Sequence, residues 1–231
     1  MTNRRQFLRT VGVGAAGFGL FGAACTSTDG ADAESESDDN SDNLGFSGTV
    51  LGYPLAKPTV TFTDTSGQPY NIAEKTDGKL TLLFFGYTSC PDVCPVTLGI
   101  VAATLKRLTG PASKANVLFV GVDTARDTPQ AMRAFLDRSS EEFVGLTATP
   151  ELIDQALAEL QLPAPVIDDP NADEGYVVGH ASQVLVFSPN DNLAHIIYPF
   201  GNDSRGENWS KDLPRLQTYE FGDTTRLAPV R

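Results

Sequence analysis

Apolar and polar residues change rhythm repeatedly along this 231-residue chain, and each change predicts an element. Thr59-Val-Thr-Phe-Thr-Asp64 alternates with the two-residue period of a half-buried strand and runs into the turn signal Thr65-Ser-Gly67-Gln68, which predicts a leading hairpin. Leu80-Thr-Leu-Leu-Phe-Phe85 is an apolar run bounded by Gly78 and Gly86, the pattern of a strand buried on both faces. From Pro95 to Leu108 the residues Val96, Ile100, Val101, Ala103, Leu105 and Leu108 recur at helical spacing. Val117-Leu-Phe-Val-Gly-Val122 predicts a second buried strand, and Asp127-Thr128-Pro129 opens a helix carrying Met132, Phe135 and Leu136. Thr128 suits its cap and Pro129 its first turn. Phe143 to Leu146 predicts a short strand, and Thr149-Pro150 repeats the start signal for a helix through Leu160. Residues 162–175, rich in Pro, Asp and Ala, predict an irregular loop. Gln183 to Phe187 and Leu193 to Tyr198, separated by Ser188-Pro-Asn-Asp-Asn192, predict a hairpin, and a short helix follows near Trp209 to Gln217.

This order is β-α-β-α closed by a hairpin and a helix, which implies parallel strands joined by right-handed crossovers. The expected fold is α/β and thioredoxin-like, a central mixed sheet flanked by helices with an N-terminal hairpin extension, over residues 45–231. The residues before it follow other rules. Arg4, Arg5 and Arg9 precede an uncharged run from Val11 to Ala24, too short and Gly-rich for a spanning helix but suited to an export signal over residues 1–24. Arg4-Arg5-Gln6-Phe7-Leu8 resembles the twin-arginine export signal. Phe21-Gly22-Ala23-Ala24-Cys25 resembles a lipoprotein processing site, with Gly22 where an aliphatic residue is usual, and makes Cys25 the expected lipidated residue. Residues 25–44 carry no aromatic and almost no large aliphatic side chain, which predicts an acidic, disordered tether holding the domain at the outer face of a membrane.

Charge narrows the function. The chain carries a formal charge of −12, and residues 45–231 keep 22 acids against 14 lysines and arginines. A nucleic-acid binder needs a basic surface to displace counterions from phosphates, and none is present.

Candidate chemistry concentrates in Cys90-Pro91-Asp92-Val93-Cys94-Pro95, between the end of a predicted buried strand and a helix start. Open α/β folds place ligands in that crevice. Helix amides there favour a thiolate, which binds metal or attacks disulfides, so a lowered thiol pKa is expected. Pro91 and Pro95 disfavour helical geometry at Cys90 and Cys94, which predicts a stiff loop or frayed first turn. A static disulfide over three intervening residues would constrain the unfolded chain little. The chain has two histidines. His180 precedes the strand Gln183 to Phe187, and if that strand runs antiparallel to the first two, its start lies at the edge holding the thiols. Two soft thiolates and one imidazole suit copper, and zinc less exclusively. His195, within the hairpin, is expected to pack rather than ligate.

Phe84-Phe85-Gly86-Tyr87-Thr88-Ser89-Cys90-Pro91-Asp92-Val93-Cys94-Pro95 resembles the signature of the Sco/SenC family of copper-binding, thioredoxin-like proteins. Val122-Asp123-Thr-Ala-Arg126-Asp127-Thr128-Pro129, Val144-Gly145-Leu146-Thr147 and Tyr176-Val-Val-Gly-His180 resemble its later segments in order, with Ser89, Thr124 and Gly179 as departures. The resemblance implies a copper ion held by Cys90, Cys94 and His180, and a role in maturing the dinuclear copper centre of a terminal cytochrome oxidase. It makes the oxidase's copper-centre subunit the expected partner. Asp123, Arg126 and Asp127, just past a strand end, are expected to tune the thiols, meet the partner, or form an ion pair at a helix start. The family also offers a second activity, a thiol-disulfide reductase that keeps the partner's cysteines reduced and is itself served by a thiol reductant. The three-residue spacing of the pair and the presence of His180 favour copper.

Overall fold

A computed structural model describes residues 44–168, 175–201 and 205–222. The expected export signal, Cys25 and nearly all of the tether lie outside the described residues. No helix among the described residues is long and apolar enough to cross a membrane.

Eight strands form one mixed sheet in the order β1-β10-β9-β4-β5-β6-β2-β3. Its centre is β4 (Thr81–Gly86), β5 (Asn116–Gly121) and β6 (Val144–Thr147), all parallel. Every residue of β4 is buried, as its unbroken apolar run requires. Helix α2 (Val93–Arg107) crosses from β4 to β5 and α3 (Pro129–Leu136) from β5 to β6, with α4 (Pro150–Glu159) after β6. The start signals act as expected: the Ala131 N–H donates to the Thr128 hydroxyl, and the Leu152 N–H to that of Thr149. The hairpin of β9 (Val184–Phe187) and β10 (Leu193–Tyr198) lies beside β4, with β9 antiparallel to it. Helix α5 (Glu207–Leu216) follows, and its buried Asp212 accepts hydrogen bonds from Ser47 N (2.8 Å), Gly48 N (3.3 Å) and the Tyr198 hydroxyl (2.6 Å).

Three local expectations are revised. The leading hairpin exists as β2 (Thr61–Asp64) and β3 (Pro69–Asn71), followed by a single helical turn α1 (Ile72–Lys75), but the N-terminal extension occupies both edges of the sheet. Strand β1 (Thr49–Ala56) pairs with β10, while β2 pairs with β6 at the far side. Pairing partners so distant in sequence leave no local signal. Within the expected irregular loop lies β7 (Val166–Ile167), which pairs with β8 (Val178–Gly179), just past the loop, in a short ribbon. Helix α2 begins at Val93 and includes Cys94, although Pro95 follows it. The first four amides of a helix have no intrahelical acceptor, so Pro95 sacrifices no hydrogen bond, and burial of Cys94 outweighs the local proline preference.

Candidate metal centre

β4 ends at Gly86 and the chain turns through Tyr87 to Cys90, a turn closed by the Cys90 N–H donating to the Tyr87 carbonyl at 3.1 Å. Cys90 stands on this loop at 9% exposure, and Cys94 sits in the first turn of α2 with none. The Cys94 N–H points at the Cys90 sulfur, 3.4 Å away. Both cysteines are free thiols. The antiparallel register of β9 against β4 pairs Phe84 with Val184, which brings the residues just before β9 to the thiol edge of the sheet. His180 arrives there: its Nε2 is 3.5 Å from the Cys94 sulfur, and the three donor atoms all lie within 4.8 Å of one another.

Aromatic packing and one backbone contact orient the imidazole. Its ring meets Tyr87 and Phe84 in edge-to-face contacts, with centroids 5.6 and 6.1 Å apart. Nδ1 lies 3.0 Å from the Ala181 carbonyl, an acceptor only, so Nδ1 carries the proton and donates. With the proton on Nδ1, a neutral ring would present its Nε2 lone pair to the thiols, the tautomer a metal ligand requires.

Gly86 makes the close approach of strand and helix feasible. A Cβ there would stand 2.8 Å from both the Cys94 sulfur and the Phe119 ring.

The expected lowering of the thiol pKa is not found at Cys94. Burial pushes this thiol far above the usual range, and its hydrogen bond with Cys90 and the nearby charges of Cys90 and Asp127 push the same way. Loss of water around a fully buried sulfur outweighs the favourable helix terminus. Burial therefore favours the neutral thiol at Cys94, and ligation of a cation would displace its proton.

Two sulfurs and one nitrogen at bond lengths of ~2.3 and ~2.0 Å around one ion stand roughly 3.5–4 Å apart; the Cys94 sulfur and the His180 Nε2 are 3.5 Å apart, and all three donors lie within 4.8 Å of one another. Sulfur and imidazole donors select copper or zinc over calcium or magnesium.

Asp123, Arg126 and Asp127 adjoin this cluster without ligating into it. Asp127 Oδ1 accepts from the Thr88 N–H and hydroxyl, both at 2.8 Å, and its Oδ2 accepts from the Asp123 N–H at 3.0 Å. Burial raises the Asp127 carboxyl against these stabilising bonds. Asp123 is ion-paired with Arg126 and accepts the Tyr176 hydroxyl at 2.8 Å. Tyr87, Thr88 and Tyr176 were missed as working parts of the site. Each stands inside a quoted motif, but Tyr176 and Asp123 are 53 positions apart, and nothing in the chain announces their pairing. His195 packs as expected, bonded to Asp191 at 2.7 Å and stacked on Phe221 at 3.7 Å.

The fold and the three converging donors define a thioredoxin-like dithiol protein whose site includes an imidazole. Residues 54–209, more than half of the chain, match the SCO1/SenC family, and the protein belongs to it. It is 33% identical over 132 residues to the protein SenC of Rhodobacter capsulatus, an alignment covering 53% of this chain and 59% of that relative. Among solved structures it is similar to apo Sco1 of Thermus thermophilus, at 27% identity and a TM-score of 0.64, covering 74% of this chain and 96% of that one. ScoI of Bradyrhizobium japonicum with copper bound is similar at 29% identity and a TM-score of 0.59, covering 70% of this chain and 99% of that one.

Proposed function

We propose that this protein is an extracytoplasmic copper-binding metallochaperone for assembly of the dinuclear copper centre of cytochrome c oxidase. Cys90, Cys94 and His180 hold the copper ion as cargo. The observation that carries this reading is the approach of the His180 Nε2 to the Cys94 sulfur, 3.5 Å, in a family that includes a copper-bound relative. Disulfide exchange alone does not need an imidazole beside the sulfurs, whereas a copper site gains a third donor from it. Cys90, the more exposed thiol, is the ligand an incoming acceptor meets first. Cys94 and His180, held from the helix and from the segment before β9, retain the ion until that exchange begins.

The same reading places residues 1–24 as the export signal, a lipidated Cys25 and residues 25–44 as the anchor and tether, and residues 45–231 as the working domain at the outer face of the membrane. The partner is the copper-centre subunit of a terminal oxidase. A second activity, reduction of that subunit's ligand cysteines, is favoured by one observation: Cys90 and Cys94 are both free and close together, so without copper they can reduce a disulfide between those cysteines by exchange, releasing them as two thiols and closing their own disulfide.

Copper titration of the reduced protein tests the first reading. We expect one copper ion per chain and binding at least ~10-fold weaker in His180→Ala, the scale of losing even a supporting group at a metal site. Equal affinity in both proteins would remove His180 from the site, and no binding in the wild type would refute the copper reading. Oxidase maturation that persists in a Cys94→Ser strain would overturn both activities.

A further inference from the structure

The copper reading leaves open what fixes the distance between the two ligand-bearing segments. His180 follows a ribbon only two residues long on each strand and precedes the main sheet, which its segment joins at Val184. Main-chain pairing therefore does not hold it against the thiols. Side chains do: Tyr87 of the thiol loop bonds the Val178 backbone and meets the imidazole ring, and side chains from the turn after β5 supply a second link. That turn is closed by the Arg126 and Asp127 N–H groups, which donate to the Asp123 carbonyl at 3.0 and 2.8 Å.

One side of the turn grips the thiol loop, through the Asp127 carboxylate on the Thr88 backbone and hydroxyl. The other side grips the His180 segment. Arg126 donates through Nε to Asp123 and through Nη2 to the Tyr176 carbonyl at 3.1 Å, and its guanidinium lies over the Tyr176 ring, 3.6 Å from the centroid. The Tyr176 hydroxyl returns to the free Asp123 oxygen, closing a cycle of three side chains around a carboxylate that is 1% exposed. The guanidinium also lies 5.8 Å from the ring of Tyr87, one of the two rings that seat the imidazole. An exposed ion pair would leave the carboxylate solvated and the tyrosine free. Here one oxygen of a buried acid holds Arg126 and the other accepts from Tyr176 of the segment that carries His180.

We propose that the turn Asp123–Asp127 is a clamp with two jaws that sets the spacing of the thiol loop and His180, and that Arg126 and Tyr176 are positioning residues for the imidazole ligand. This rests on the copper reading of the site. Arg126 suits the task because a planar guanidinium can stack on one ring while donating in two directions, which an ammonium cannot.

A thermodynamic cycle in the full-length protein tests the clamp. Copper affinity is measured in wild type, Arg126→Ala, His180→Ala and the double variant. Arg126→Ala should weaken binding ~10-fold, within the range for groups that orient a metal ligand. In the His180→Ala background the same change should cost less than ~2-fold, because Arg126 acts through His180. Losses of equal size in both backgrounds, or wild-type affinity in Arg126→Ala, would overturn the proposal. Arg126→Lys should not restore binding. Should Arg126→Ala fail to fold, Tyr176→Phe keeps the stacked ring, removes only the bond to Asp123, and is expected to weaken binding ~3–5-fold; wild-type affinity there would count against the clamp.

A second readout needs no metal. In the free protein the His180 ring protons should be shifted by the neighbouring rings, and in Arg126→Ala they should move toward solvent values. Unmoved resonances would refute the clamp. Failure of wild type to bind copper would instead refute the function while leaving this test intact.

Discussion

Replacing Gly86 with alanine probes how closely strand and helix approach at the thiol pair. The added Cβ would lie 2.8 Å from the Cys94 sulfur and 2.8 Å from the Phe119 ring, a full overlap on both sides. Neither neighbour has room to move. Cys94 and Phe119 are wholly buried, one on α2 and the other on β5, and Gly86 is locked in register against Gly121. Overpacking of this kind costs about 2–3 kcal/mol, and the lower entropy of alanine in the unfolded chain offsets about 0.5–1 of it. The net loss of about 2 kcal/mol should lower Tm by roughly 4–8 °C for a domain of this size. Thermal unfolding of the metal-free protein is the assay, because bound metal would add its own stabilisation. The displaced sulfur should also weaken copper binding. A variant that melts within ~1 °C of wild type and binds copper equally well would refute the packing described for the thiol site.

Asp127→Asn keeps the size of the side chain but sets an amide against N–H donors that now meet carboxylate oxygens; about 2 kcal/mol of stability should be lost in denaturant titration. His195→Ala should cost stability through the lost stack on Phe221 and bond to Asp191, yet leave copper affinity unchanged; weakened binding would show that the second histidine also serves the site. Lys57 is buried, donates to the Thr76 carbonyl and Asn192 at 2.8 Å each, and has its pKa lowered by burial from 10.5 to about 8. Between these values the unfolded chain binds the proton that the folded protein has released, so stability should rise with pH across that window. Lys57→Met should remove that rise, and denaturant midpoints of both proteins at either end of the window check it.

Much of the architecture was legible because its signals are local. Buried β4 and β5 are unbroken apolar runs, and Thr128 and Thr149 announce their helices with a cap and a following proline. The approach of His180 to the thiols depends on the direction of β9, which the sequence leaves as a condition and the antiparallel register of Phe84 with Val184 meets. What escaped depends on contacts between distant segments. β1 and β2 are neighbours in the chain yet lie on opposite sides of the sheet, β1 at the edge beside β10 and β2 between β6 and the edge strand β3, and pairing between such distant segments leaves no local signal. The proline after Cys94 argued locally against a helix, and tertiary burial overrode it.

The amino-acid sequence by itself determined which donors are available: two thiols spaced to share an ion, and one histidine placed to reach them. Element type and donor chemistry are properties of short segments, and a chain carries them whether or not it is folded. Only the tertiary structure decided the state and spacing of those donors. Burial favours the neutral thiol at Cys94, where the helix terminus alone favours a thiolate. The turn from Asp123 to Asp127 joined the thiol loop to the His180 segment through side chains as far as 53 positions apart. Desolvation and long-range hydrogen bonds exist only once the core has closed around them.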